Sequence, residues 1–224
     1  MDGTTREDAA PRRDPPILIV PGLFGSGPDH WQSHWQRALP TAERVEQSDW
    51  RRPTLGDWTA SLIEAVRRRP GAILVGHSLG CALIAHLAGV RGDRGIAGAL
   101  LVAPADVNRQ GPAGRLLEGF SPLPRLRLPF PSLVVASRDD PYVAIDRARA
   151  FAQGWGAAFV DLGRAGHINV ESGYGPWAGG QALLRRLIAQ APAAAPVRPD
   201  EDSPGRWRSP AGATPRDSAH LAPG

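Results

Sequence analysis

The heptapeptide Val75-Gly76-His77-Ser78-Leu79-Gly80-Cys81 constrains this chain more than any other stretch. The apolar run Ala72-Ile73-Leu74-Val75 leads into it, and Cys81-Ala82-Leu83-Ile84-Ala85-His86-Leu87-Ala88, which reads as a helix, follows. A strand that ends in G-x-S-x-G and turns at once into a helix forces its serine into a strained backbone conformation. Glycines on either side remove the side chains that would hold strand and helix apart. Such a turn lifts the Ser78 hydroxyl clear of the sheet, at the positive end of the following helix. Ser78 is therefore a candidate nucleophile. In a chain with 26 glycines the pentapeptide alone is weak; its flanks are what give it weight.

The rest of the chain supplies a sheet for that turn. Apolar runs predict strands at residues 17–20, 72–75, 96–103, 133–136 and 158–161, with a weaker one at 44–46. Helical spacing predicts helices at about 30–39 with Asp29 as N-cap, at 55–69, from 81 onward, at 144–153 and at 177–190. Trp31 and Trp35 fall one turn apart and should bury together. Strands alternating with helices predict an α/β fold, with about six mostly parallel strands covered by helices on both faces. Residues 22–28 read as a flexible glycine-rich loop, and residues 106–130 as a long irregular one, a kind of segment that tends to be functional.

At 224 residues and 42% hydrophobic content the chain is long enough for one domain with a sizeable core. The expected division is a disordered lead at 1–15, one domain at 16–190 and a disordered Ala/Pro/Arg-rich tail at 191–224. Net charge is +4 and the pI about 10.4, yet every Lys/Arg residue is Arg and the arginines are scattered. The longest run, Arg67-Arg68-Arg69, ends a predicted helix and complements its dipole. No nucleic-acid partner is implied. One cysteine leaves no disulfide framework. The N-terminal residues lack the apolar core of a signal peptide, and no apolar run reaches the length of a membrane span. A soluble, cytoplasmic protein is the expectation; oligomeric state is not legible.

In parallel sheets of this kind, ligands bind at the carboxyl ends of the strands. Leu23 follows the first strand, Ser78 the third, Asp106 the fourth, Asp139 and Asp140 the fifth, and His167 the last. A serine hydroxyl needs a base within hydrogen-bond reach, and the base needs an orienting acid. His167, in Gly163-Arg164-Ala165-Gly166-His167-Ile168-Asn169, is the candidate base. Asp140, stiffened by Pro141, is the favoured acid. Asp139 would then cap the turn or meet Arg138, and Asp106 is a lesser alternative. Backbone N–H groups of Leu79 and Leu23, with Phe24 behind Leu23, are the expected oxyanion donors.

Taken together, Pro21-Gly22, His30-Trp31 with Trp35, Gly76-His77-Ser78-Leu79-Gly80, Ala136-Ser137-Arg138-Asp139-Asp140-Pro141-Tyr142 and Gly166-His167 resemble one family. It is the small serine hydrolases related to retinoblastoma-binding protein 9 and its bacterial relatives, and the resemblance spans about residues 16–190. It implies a compact α/β-hydrolase without a large cap domain, no cofactor, and a triad of Ser78, Asp140 and His167. The retinoblastoma-binding motif L-x-C-x-E is not carried, because Leu79-Gly80-Cys81-Ala82-Leu83 has Leu where Glu is required.

The expected function is hydrolysis of a carboxylic ester or related small acyl substrate through an acyl-enzyme on Ser78. Acyl transfer, thioester hydrolysis or lactone opening on the same scaffold are alternatives, as is a non-catalytic binding module. Of the remaining chemistry-bearing residues, His77 is expected to pack or hydrogen-bond locally. His30 and His34 have metal-pair spacing but no evident third ligand, so no metal is expected. Cys81 is read as a buried packing residue, and Trp31, Trp35, Trp50 and Trp58 as core or face packing.

Overall fold

Ile17–Val20 (β1) is apolar at every position, and every position is buried. So are all six residues of Ala72–His77 (β3) and all seven of Ile96–Val102 (β4). A strand buried on both faces can only be a central strand of a covered sheet. A computed structural model describes residues 14–109 and 116–191. The expected N-terminal lead up to residue 13 and the tail from residue 192 lie outside the described residues, as do residues 110–115 of the irregular loop.

The sheet has six parallel strands in the order β2-β1-β3-β4-β5-β6. Ala42–Arg44 is β2, Ser132–Ala136 is β5 and Ala158–Asp161 is β6. The chain runs outward from β1 to β2, then returns to the other side of β1 for β3. The loops after β1 and β3 therefore part company at the reversal of strand order, where such sheets bind ligands.

Among the described residues, five helices cover the sheet: Trp31–Ala38 (α1), Leu55–Arg68 (α2), Leu79–Arg91 (α3), Ile145–Trp155 (α4) and Ala178–Gln190 (α5). Alternate residues of each strand feed two separate cores. Leu18, Val20, Leu74 and Leu101 join α2 and α3 on one face. Ile17, Ile19, Val75 and Val102 join α1 and α5 on the other. Trp31 and Trp35 bury together there as expected, with ring centroids 4.7 Å apart, and both pack on Trp177.

Some boundaries differ from the expectation. The second strand lies at Ala42–Arg44 rather than 44–46, although Val45 N–H still donates to Ile19 O at 2.8 Å. The N-cap of α1 is His30, not Asp29: the ring Nδ1 of His30 accepts the Gln32 N–H at 3.2 Å. The last helix starts after Trp177, whose left-handed backbone (φ 40°) closes the preceding loop.

Candidate active site

Ser78 has φ 54° and ψ −118°, a conformation costing about 1–3 kcal/mol for a residue with a side chain. Its backbone is held from both sides. Its N–H donates to Val102 O at 3.0 Å, and its carbonyl accepts from Cys81 at 3.0 Å and Ala105 at 3.2 Å. It occupies the N-cap of α3, yet its hydroxyl does not cap the helix. A serine in that position normally spends its oxygen on the first turn; here the oxygen is left for other work. Gly80 allows the packing, because a Cβ there would collide with the Val20 carbonyl.

His167 is buried and its backbone is wired on every side. Its N–H donates to Ser172 Oγ at 3.1 Å, and its carbonyl accepts from His77 Nε2 at 3.0 Å. The next carbonyl, Ile168 O, accepts from Trp31 Nε1 at 2.8 Å. His77 precedes Ser78 in the chain, and its ring lies 4.8 Å from that of His167. It therefore ties the serine turn to the histidine loop across 90 residues. That bond requires the Nε2–H form of His77. Burial, then the neighbouring His167 and His30 rings, hold its pKa well below the usual histidine range, so it is neutral.

Asp140 meets His167 directly. Its carboxylate oxygens lie 2.8 and 3.1 Å from Nδ1, with the Asp140 side chain fully buried and that of His167 8% exposed. Asp139 serves the same histidine by another route. Its Oδ1 accepts from Ser137 Oγ (2.7 Å), Ala165 N (2.8 Å) and Gly166 N (2.9 Å). The Ser137 hydroxyl and then these amides hold its pKa below the usual carboxylate range. The expectation that Asp139 caps a turn holds, but the turn is that of the His167 loop, and the alternative partner Arg138 pairs instead with Asp161 at 2.9 Å. Asp106 is committed elsewhere: Arg147 binds both its oxygens at 3.0 Å.

The segment after β1 is more ordered than the flexible loop expected. Leu23–Gly25 forms a 3-10 turn. Leu23 and Leu79 each open a helical segment, so neither N–H has an acceptor inside its own helix. Phe24 is removed as a fallback donor, because its N–H is spent on Trp50 O at 2.9 Å. The loop lies against the serine turn: a Cβ on Gly22 would sit 2.9 Å from Ser78 Cβ and 3.1 Å from Leu79 N.

The chain matches the serine hydrolase family over residues 17–186. It belongs to that family. Among solved structures, a YdeN-like hydrolase from Pectobacterium atrosepticum is 36% identical, over 79% of this chain and 92% of its own, with a TM-score of 0.71. The ydeN gene product from B. subtilis is 22% identical over 78% and 99%, with a TM-score of 0.65. Est1E from Butyrivibrio proteoclasticus, at 14% identity over 80% and 90% and a TM-score of 0.58, shares the fold. No curated protein sequence matches. The serine hydrolase is thus an enzyme with hydrolase activity on a compact α/β-hydrolase scaffold.

Several residues around the hydrolase's candidate site have no signature in the sequence. Tyr142 stacks edge-on to His167, with centroids 4.6 Å apart, and is 45% exposed. Arg109 lies 5.8 Å over the Tyr142 ring and donates to Pro141 O. The described start of the long loop therefore bends toward the Asp140 turn. His77 hydrogen-bonds as expected, but to a distant carbonyl rather than locally. Cys81 is fully buried, and burial pushes its thiol pKa up, so it is the packing residue expected. Among the described residues no cluster of three metal-ligating side chains occurs, and no helix is long and apolar enough to cross a membrane.

Proposed function

We propose that this serine hydrolase cleaves a carboxylic ester or a related small acyl compound through an acyl-enzyme on Ser78. His167 Nε2 takes the hydroxyl proton as Ser78 Oγ forms its bond to the substrate carbonyl carbon. The Leu23 and Leu79 N–H groups receive the oxyanion. The same proton passes from His167 to the leaving oxygen as the ester C–O bond breaks. A water molecule then repeats the sequence, giving its proton to His167 and its oxygen to the acyl carbon. The acid is released and Ser78 recovers its proton. Asp140 keeps the Nδ1–H form of His167 and stabilises the imidazolium that forms at each stage.

The observation that carries this reading is the buried Asp140–His167 pair, 2.8 Å long, tied through His77 to a serine in a strained turn whose hydroxyl does not cap its helix. Ser78→Ala is the test. It should lower kcat for p-nitrophenyl acetate by at least about 10⁴-fold, with the far-ultraviolet spectrum and melting transition retained. A fluorophosphonate probe should label the native protein and not the variant. A folded Ser78→Ala protein of undiminished activity would sink the proposal.

A further inference from the structure

The loop that carries Leu23 is held in a costly shape. Phe24, Gly25 and Ser26 have φ of 66°, 76° and 48°, three left-handed residues in succession, and two of them bear side chains. Something outside the loop must hold it there. The Arg44 guanidinium, at the end of β2, reaches across to it. Nη1 donates to Gly25 O at 2.6 Å and Ser26 O at 3.2 Å; Nη2 donates to Ser33 Oγ at 2.6 Å; Nε donates to Gln36 Oε1 at 2.9 Å. Ser33 Oγ in turn lies 2.9 Å from Ser26 O and 2.8 Å from Gly27 O. Three consecutive loop carbonyls are thus gathered on one cation and the hydroxyl it fixes.

The same brace reaches the serine strand. Ser26 Oγ donates to Gln32 Oε1 at 2.7 Å, and Gln32 Nε2 donates to Val75 O at 3.0 Å, three residues before Ser78. The Arg44 side chain is only 11% exposed, and its one ion-pair partner among the described residues, Glu46, is 3.9 Å away and 71% exposed. A surface ion pair of that kind contributes little. Burying a guanidinium for so weak a pair makes little physical sense; burying it to satisfy fixed carbonyls does.

We infer that Arg44 is a positioning residue for the oxyanion-binding loop, its guanidinium fork orienting the Gly25 and Ser26 carbonyls and, through that turn, the Leu23 N–H. The inference rests on the proposed role of Leu23. A lysine cannot replace the fork, because its compact ammonium cannot reach the loop carbonyls and Ser33 in one plane.

The test uses Arg44→Lys and Arg44→Ala in the full chain, with p-nitrophenyl acetate as substrate and a trifluoromethyl ketone as tetrahedral mimic. Removing one oxyanion donor costs about 10²–10³ in kcat, so misaiming it should cost about 10–100-fold. KM should stay within about threefold, and affinity for the ketone should fall by the same factor as kcat. Guanidinium at tens of millimolar should restore part of the Arg44→Ala activity where equal sodium chloride does not. Amide hydrogen exchange at residues 23–26 should quicken in both variants.

An unchanged kcat in folded Arg44→Lys overturns the inference and leaves the proposed function, which rests on Ser78→Ala, intact. A fall in kcat without weaker ketone binding overturns it too, since Arg44 would then act elsewhere than at the oxyanion. Should Ser78→Ala remain active, the proposed function is what fails. The exchange rates then decide the matter for Arg44, and wild-type protection in the variants counts against it.

Discussion

Gly22→Ala probes the junction of the two loops with one methyl group. Gly22 has φ −89°, which alanine adopts without strain, so any effect must come from the space the methyl requires. That space is taken. The new Cβ would lie 2.9 Å from His77 O, 2.9 Å from Ser78 Cβ and 3.1 Å from Leu79 N, all on the serine turn. Carbon contacts are comfortable at about 3.5–4.0 Å, so loop and turn must separate by roughly half an ångström to one ångström. Overpacking of this degree typically costs about 1–3 kcal/mol of stability. For a domain of this size that is a fall of about 2–4 °C in Tm per kcal/mol. The catalytic effect should be larger, because the opening falls between the two amides proposed to bind the oxyanion. Displacing reacting groups by about 1 Å costs on the order of 10²-fold in rate. The assay is kcat and KM on p-nitrophenyl acetate beside a thermal melt. Gly27→Ala is the control, since nothing lies within 4 Å of its added carbon. A Gly22→Ala enzyme with kcat within threefold of wild type, or a Gly27→Ala enzyme equally impaired, would refute the reasoning.

Asp140→Asn should lower kcat by about 10⁴-fold with little change in fold, because the amide no longer enforces the Nδ1–H form of His167. Asp139→Asn keeps an oxygen facing Ala165 and Gly166 and should lose far less; equal losses in the two variants would mean the roles of the aspartates are misassigned. Stability should fall with acid for a reason written in His30, whose pKa burial, then Arg44 and His167, hold down to about 4. The unfolded chain binds the proton more readily, so this contribution is complete above about pH 6.5 and is lost as pH drops toward 4, for a total of about 3 kcal/mol. In His30→Asn, which retains a capping oxygen for Gln32, melting temperatures between pH 7 and 4 should decline less steeply than in wild type. An identical decline would remove His30 from the account.

Strands were the most legible part of this fold, because β1, β3 and β4 are buried on both faces and are apolar at every residue but His77. The serine turn was legible for a similar reason: its glycines answer a local steric demand. That Asp140 and His167 meet could be expected because each follows a strand, and strand ends converge on one edge. What could not be read were the long-range hydrogen bonds. Nothing in the neighbourhood of Arg44 signals that its guanidinium will meet Gly25 and Ser26, or that His77 will meet a carbonyl 90 residues away. Asp139 and Asp140 looked like rivals because adjacent residues leaving a strand point apart. They do point apart, one to the ring of His167 and one to the amides before it. The N-cap of α1 was misplaced by one residue because a histidine ring nitrogen does the work usually left to aspartate or serine.

The tryptophans of α1 give the site a timetable. Trp31 closes on Ile168 O across 137 residues, and Trp35 on Pro176 O across 141. Contacts so distant along the chain carry a closure cost that must be met before they return anything, and they form late. A nascent chain emerging from the ribosome therefore carries the serine turn long before it carries the histidine proposed to activate it. The histidine arrives almost 90 residues later, on a loop whose Ile168 carbonyl is held by Trp31 of α1. On the proposed roles, the serine is made well before its base.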